Sequence, residues 1–342
     1  MTVPSLVVRE NDTFCPTAGR AARVSACRNI SAASTAARVR IGCVARDQYL
    51  TCPETPVAWA HRGGGALGRL GPELVGAVVR PVFAKSALTR SKIEGIDYAV
   101  NPYYGCLHGC RYCYAAWMTR RRFPDHVWGL HVHPKVNIHR LLDRELSSAR
   151  PGLVELGTST DPYQPVESRF QLTRRCLEVL SHHPGFDVAL LTKSPLVLRD
   201  LEVLRAIDAE VGFSLSGLGD VVRLLEPRAP PGEARLAALR RLSSEGLRTF
   251  AFISPVLPGI TDRQVRSLLR SVAEARPSRV LVDALRFRPG VLRSMRSALS
   301  GSPELLRELG SYASDQAGWL QRVRAAMEEA AEGLGLTLEF LF

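Results

Sequence analysis

The chain has 342 residues, 46% of them apolar, which allows one large domain or two ordinary ones around a substantial core. Its formal net charge is +12, carried almost wholly by Arg, since Lys stands only at 85, 92, 135 and 193; such a balance suits nucleic acid or another phosphate-bearing substrate, and equally a generally basic surface. No apolar run approaches the roughly 18 residues of a membrane-spanning helix, and the 8 cysteines, with no secretory leader, do not make a disulfide framework, so the expected compartment is the reducing cytoplasm.

Residues 1–80 offer little to build a core. Ala, Arg, Ser and Thr occur there without period and Gly63-Gly64-Gly65 interrupts any regular element, so a low-order extension is expected, disordered or weakly attached. Cys15, Cys27, Cys43 and Cys52 stand too far apart for a C-x2-C pair and read as incidental. The Arg and Ser content suggests a transit peptide, against which Glu10 and Asp12 argue, and a start placed too far upstream accounts for it equally well. Gly63-x-Gly65-x-x-Gly68 matches a dinucleotide fingerprint in form only, because no strand precedes it.

From about residue 81 short β-rich runs alternate with amphipathic helices, the pattern of a parallel α/β sheet. The predicted strands are 97–100, 153–157, 187–192, 210–215, 249–254 and 279–284. Ile138, Leu141, Leu142 and Leu146 recur at helical spacing, as do Phe170, Cys176, Leu177 and Leu180. Thr261-x-x-Gln264 reads as a capping box opening a further helix. Six such units make a partial, open (β/α)6 barrel of the TIM type over residues 81–290, followed by a helical extension over 291–342 in which Leu336 to Phe342 add a last strand.

The first strand runs out at Pro102, and Asn101-Pro-Tyr-Tyr-Gly-Cys106-Leu-His-Gly-Cys110-Arg-Tyr-Cys113-Tyr114 lies at its C-terminal end, where α/β folds place their chemistry. Three thiolates in a C-x3-C-x2-C run point to metal. Zinc is usually held by four protein ligands in two pairs, and no second pair comes after Cys113, whereas iron-sulfur clusters are held by runs of this kind. A four-iron cubane on three thiolates leaves one iron open, which fits catalysis better than electron transfer alone. His108 stands between two of the cysteines and is a conceivable ligand, but the three thiolates already complete the pattern.

Later strands deliver polar groups to the same sheet end. The second leads into Gly157-Thr-Ser-Thr160-Asp161-Pro-Tyr163-Gln164-Pro165, a stiff rim that either holds polar atoms of a cosubstrate or caps the helix beginning near Val166. The third ends at Lys193, whose ammonium suits a carboxylate or is simply solvated, the fourth at Ser214 and Ser216, and the fifth in a proline-rich turn reaching Asp262.

These features together resemble the spore photoproduct lyase branch of the radical SAM superfamily. The resemblance rests on Ala84-Lys85-Ser86, Asn101-Pro102-Tyr103, the three cysteines with Tyr114, Thr160-Asp-Pro-Tyr-Gln-Pro165, Thr192-Lys-Ser194, Glu226-Pro227 and Pro258-Gly259-x-x-Asp262. It implies a [4Fe-4S] cluster on Cys106, Cys110 and Cys113, S-adenosylmethionine as cosubstrate, and a low-potential electron donor such as ferredoxin or flavodoxin. It further implies that backbone near Tyr112 meets the adenine, that Lys193 and Ser214 hold the methionyl carboxylate, and that Thr160 and Asp161 face the amino group or nearby polar atoms. The reaction implied is reductive cleavage to a 5′-deoxyadenosyl radical that abstracts hydrogen from a substrate, a nucleotide or nucleic acid being one candidate.

One departure stands out. The repair lyases of this branch return hydrogen from a cysteine downstream of the cluster, and this chain has no cysteine between Cys113 and Cys176, the latter on an apolar helical face. Two other functions stay open: photoproduct repair with a tyrosine donor such as Tyr103, Tyr104 or Tyr114, and a non-catalytic iron-sulfur or zinc protein, which needs a fourth protein ligand and no cosubstrate pocket.

Overall fold

The computed structural model describes residues 76–342, together with four short strands at Ser5–Val8, Phe14–Thr17, Val44–Arg46 and Tyr49–Thr51 that pair antiparallel two by two. Cys27, Cys43, Cys52 and the Gly63–Gly68 stretch lie outside the described residues.

The main sheet has eight strands, labelled here β1 (Leu88–Arg90), β2 (Tyr98–Val100), β3 (Gly152–Leu156), β4 (Phe186–Thr192), β5 (Glu210–Leu215), β6 (Thr249–Val256), β7 (Arg279–Ala284) and β8 (Leu338–Phe340). They lie side by side in chain order, all parallel except β1, which runs antiparallel to β2. The six predicted strands are β2 to β7, and the predicted C-terminal strand is β8, hydrogen-bonded to β7 with Val280 opposite Leu338. The sheet is a curved, open half-barrel with helices on its outer face.

Strand alternation sorts the side chains onto two faces. Val154 and Leu156, Val188 and Leu190, Val211 and Phe213, and Val280 and Val282 point outward into one continuous apolar core. Helices supply the other half of that core. Helix α1 (Ala115–Arg122) comes directly after the cysteines, and α2 (Ile138–Leu146) buries Ile138, Leu142 and Leu146 at the expected spacing. Helix α3 (Leu172–Ser181) buries Leu172, Cys176, Leu177 and Leu180. Phe170 belongs to a separate single turn, Glu167–Phe170, because Gln171 takes a left-handed backbone conformation, φ 48°, that breaks the helix. Helix α4 (Gly232–Ser244) lays Leu236, Leu239 and Leu242 on the core, and α5 (Val265–Ala275) buries Val265, Leu268, Leu269 and Val272.

The expected capping box at Thr261 and Gln264 does not form. Thr261 stands at the N-cap of the 3-10 turn Asp262–Gln264 with helical backbone angles, φ −67° and ψ −44°, and its hydroxyl instead donates to Ser216 O at 2.5 Å and accepts from Leu257 N at 2.7 Å. Gln264 reaches across to the backbone of Leu218, accepting at 2.7 Å and donating at 3.0 Å. Both side chains tie the loop after β5 to the loop after β6, a longer-range use of the same polar atoms.

The structured core takes in residues on both sides of the expected 81–290 limits. Val78–Val79 pairs parallel with His131–Val132. At the other end, Trp319, Val323 and Met327 of the helix Gln316–Glu332 are buried, and β8 extends the sheet, so the C-terminal segment is built into the barrel rather than appended to it.

Candidate active site

The cysteine loop leaves a short strand, Tyr103–Tyr104, that pairs antiparallel with His131–Pro134. Gly105 and Gly109 then turn the chain with φ 80° and 65°. A Cβ on Gly105 would come within 2.5 Å of His126 Cε1 and 2.6 Å of His131 O, and one on Gly109 would press on Gly129 Cα at 3.1 Å, so only glycine lets the loop pack this closely. Leu107 is fully buried beneath it. Cys106 and Cys110 are buried, Cys113 is half-buried, and all three are free thiols.

The loop after β3 straps this turn down. Thr160 Oγ1 donates to Gly105 O at 2.7 Å, while Gln164 donates to Gly105 O at 3.1 Å and accepts from Leu107 N at 2.9 Å. Asp161 is the hub. Its Oδ1 accepts from Thr192 Oγ1 at 2.7 Å and Tyr163 N at 2.9 Å, its Oδ2 accepts from Lys193 N at 2.7 Å, and His108 Nδ1 lies 3.3 Å from the same oxygen, off the line of a good hydrogen bond. Burial opposes charge on both partners of this contact. Each wins it back from the other: beside Asp161 and Cys106 the His108 imidazolium is pushed up to about 10, and beside His108 and its hydrogen-bond donors Asp161 is lowered.

Thr160 and Asp161, expected to face an amino group of the cosubstrate, thus spend their polar atoms on the protein itself. They hold the cysteine loop against β4.

Lys193 and Ser214 are brought together as expected. The Lys193 ammonium donates to Ser214 Oγ, lies 3.7 Å from Glu226 Oε1 and stands 5.8 Å from the centre of the Tyr112 ring. Ser214 and Ser216 both donate to Ser254 O at 3.0 Å, across the end of β6. Beneath the lysine lies a buried network. The Tyr112 hydroxyl donates to Glu226 Oε1, and Arg235 donates to Glu226 Oε2, to Ser214 O at 3.0 Å and to Pro230 O at 2.7 Å. Burial would raise the Glu226 acid, but Lys193 and Arg235 overcome it and hold the carboxylate at about 2.

Gln164, Glu226 and Arg235 were not singled out from sequence as site residues. For Arg235 a signal existed, since it falls on the apolar stripe of α4 beside Leu236, Leu239 and Leu242, where an arginine needs a buried partner.

The tyrosines separate cleanly. Tyr103 is fully buried with its hydroxyl on Glu167, and Tyr104 packs under the Lys135 ammonium, 4.0 Å from its ring centre. Tyr114 is 43% exposed at the mouth, its hydroxyl donating to Thr158 O. Cys176 is wholly buried in α3, as its helical spacing indicated.

Among the described residues no three His, Cys, Asp or Glu side chains converge closely enough to chelate one ion. A tetrahedral zinc needs such convergence, whereas a cubane takes one thiolate per iron and needs them apart. Burial also raises the thiols of Cys110 and Cys113, the latter up to about 12, so thiolates at these two positions require a compensating cationic centre. The three-cysteine loop fits a multi-iron cluster.

The radical SAM superfamily model matches residues 100–272, about half of the chain. The chain belongs to the radical SAM superfamily. Membership in this family of enzymes implies S-adenosylmethionine and an iron-sulfur cluster. An uncharacterized protein of Methanocaldococcus jannaschii is 34% identical over 181 residues, covering 52% of this chain and 68% of the relative. An uncharacterized protein of Mycobacterium tuberculosis is 34% identical over 232 residues, with 64% and 68% covered. Among solved structures, a spore photoproduct lyase mutant with bound AdoMet and dinucleoside spore photoproduct superposes with a TM-score of 0.58 at 15% identity, covering 82% of this chain and 87% of the other. A likeness at that identity speaks for the fold. No helix among the described residues is long and apolar enough to cross a membrane.

Proposed function

We propose that this radical SAM enzyme cleaves S-adenosylmethionine reductively at a [4Fe-4S] cluster held by Cys106, Cys110 and Cys113, and turns the resulting radical on a nucleobase-bearing substrate. The observation that carries it is the meeting, at one end of the sheet, of a three-thiol loop with the Lys193 and Ser214 pair. When bound, the cluster supplies one electron to the sulfonium, whose C5′–S bond breaks to give methionine and a 5′-deoxyadenosyl radical that takes a hydrogen atom from the substrate.

The chain's own residues do the positioning. Lys193, fixed by Ser214 and balanced by Glu226, offers its ammonium to the methionyl carboxylate. Tyr112, pinned through its hydroxyl, sets the backbone of the loop that meets the adenine. Thr160, Gln164 and Asp161 keep the loop from opening to water and oxidants. Among the residues whose side chains are described, the remaining cysteine, Cys176, is locked in the core and would not join the three thiols that would hold the cluster.

The substrate class is read from the rim. Tyr114, Trp117 and Met118 are exposed on a segment that also carries exposed Arg111, Arg120 and Arg121, and the Arg121 guanidinium lies 5.0 Å over the Trp117 ring. Aromatic platforms interleaved with Arg suit stacked bases and phosphates. A ferredoxin or flavodoxin in a reducing cytoplasm is the matching electron source.

Anaerobic reconstitution and then measurement of 5′-deoxyadenosine under reductant tests the reading. The wild type is expected to bind about four irons and release 5′-deoxyadenosine; Cys106→Ala, Cys110→Ala and Cys113→Ala are each expected to lose both the brown absorbance and the product. A cluster that persists in any of them would remove the assignment. Exposed Tyr114 favours a second reading, photoproduct repair with a tyrosine as hydrogen donor.

A further inference from the structure

Strand β3 carries an unpaired carboxylate into the barrel. Val154 and Leu156 point outward and are fully buried, so Glu155 between them points inward. The register sets Glu155 beside Ala99 of β2 and Ala189 of β4, two methyl groups that leave a notch around it. Three other acids of the inner face are paired, Glu210 3.6 Å and Glu339 3.1 Å from Arg279 and Asp283 2.7 Å from Arg286, while Asp187, two positions before Ala189 on β4, turns onto the same face exposed to solvent. Glu155 has neither hydrogen bond nor ion pair among the described residues, yet its surroundings are dry enough that burial alone pushes its acid up to about 7.

Across the middle of that face, on the strands beyond Ala189, the side chains are apolar. Leu191, Phe252 and Leu281 alternate onto it and are half-buried, and Ser214, which meets Lys193 at the mouth, shares it. Tyr114, the residue after the last cysteine, lies within the electrostatic reach of Glu155. A concave apolar surface with one acceptor is the form of a site that orients a flat ligand by a single polar contact. An ionised carboxylate accepts only, so its partner must donate. Leaving it unpaired costs stability with no structural return, which is the mark of a group kept for a ligand.

We propose that Glu155 is the residue that reads the substrate inside the barrel, accepting a hydrogen bond from the ring N–H of a nucleobase lying on the Leu191 and Phe252 face. This rests on the nucleobase reading above. The ring N–H of thymine, uracil or guanine is flanked by a carbonyl and strongly polarised, and it lies in the plane of a ring whose faces are apolar. Ring N-methylation removes that donor and adds a methyl group where the carboxylate stands.

The test is equilibrium binding by fluorescence anisotropy, with the cluster-loaded, S-adenosylmethionine-saturated enzyme kept anaerobic. The probes are labelled single-stranded ten-mers, one of thymidine and one alternating guanosine with adenosine, each with and without N3-methylthymine or N1-methylguanine. In the wild type, methylation is expected to weaken binding about tenfold or more in at least one arm, the loss of one charge-assisted hydrogen bond, and that arm names the base. In Glu155→Ala the unmethylated probe should bind as weakly as its methylated form. Glu155→Gln, isosteric and still an acceptor, should keep part of the discrimination and serves if the alanine variant fails to fold. Discrimination that survives in Glu155→Ala, or that is missing from both arms while the oligomers bind, overturns the role of Glu155 and leaves the substrate reading standing. Failure of the wild type to bind either oligomer overturns both.

Discussion

Replacing Glu155 with glutamine is expected to stabilise the protein by an amount that grows as pH rises from about 4.5 and is complete above about 7. The side chain keeps its shape and loses its charge. In the folded chain burial moves the Glu155 acid from its ordinary value near 4.5 up to about 7. At about 1.4 kcal/mol for each tenfold change in acidity, that displacement amounts to roughly 3 kcal/mol. The sign is set by proton linkage. The folded state holds this proton more tightly than the unfolded chain does, so the contribution of the neutral acid is fully present below about 4.5 and is lost as pH rises through about 7. Glutamine has no such loss. Urea denaturation of wild type and Glu155→Gln, measured across about pH 4.5 to 8.5, should give curves that nearly coincide at the acid end and separate by up to about 3 kcal/mol at the alkaline end, the variant being more stable. The other titrating groups are common to both chains and cancel in the difference. A gap that does not change with pH, or a variant less stable than wild type at pH 8.5, would refute the claim that the carboxylate is half-buried and unpaired.

Lys193→Ala should weaken S-adenosylmethionine binding about ten- to a hundredfold, the value of roughly 1.5–3 kcal/mol for a charge-assisted contact, while iron content after reconstitution stays at the wild-type level; unchanged affinity by calorimetry would make the lysine a mere partner of Ser214 and Glu226. Gly105→Ala forces a side chain into a left-handed conformation and against His126 and His131, so it should lower the melting temperature by several degrees, for about 1–3 kcal/mol of backbone strain alone, and reduce iron uptake; wild-type melting and iron content would show that the loop has slack. The reduced enzyme should form 5′-deoxyadenosine without repairing spore-type thymine photoproduct in a short oligonucleotide, because Cys176 is buried and, among residues whose side chains are described, no other cysteine is free of the proposed cluster; thymine recovery that survives Cys176→Ala would establish a donor other than Cys176.

The strands of the barrel were readable because their outer faces carry branched apolar residues at every second position, and each predicted boundary falls within about two residues of the observed one. What escaped was of two kinds. Edge elements such as Leu88–Arg90 and Val78–Val79 are too short and too exposed to show a period. Polar side chains at strand ends show which rim they occupy but not which way they turn. Lys193 and Ser214 meet as expected, whereas Thr160 and Asp161, on the same rim, turn back onto Gly105, Thr192 and Lys193. Glu155 was inside a predicted strand and still passed unremarked, because a carboxylate facing a half-barrel gives the same alternation as one facing water.

The buried charges below the mouth explain why Lys193 suits an anionic ligand. His108 and Asp161 neutralise one another at the cysteine loop, and Arg235 and Glu226 do the same beneath Tyr112. Lys193 is then the cation left over, although Glu226 stands near enough, at 3.7 Å, to keep it from swinging out to solvent. A bare ammonium at a strand end would be hydrated and mobile, and a ligand would have to immobilise it on binding. Here Ser214, fixed through Ser254, and Glu226, fixed by Arg235, hold it in place beforehand. The glutamate's first lone pairs are already taken by Tyr112 and Arg235, so it steadies the lysine without satisfying it. Removing Arg235 would therefore act on the proposed cosubstrate site through two intermediaries, freeing Glu226 to pair fully with Lys193 and withdrawing the ammonium assigned above to the carboxylate.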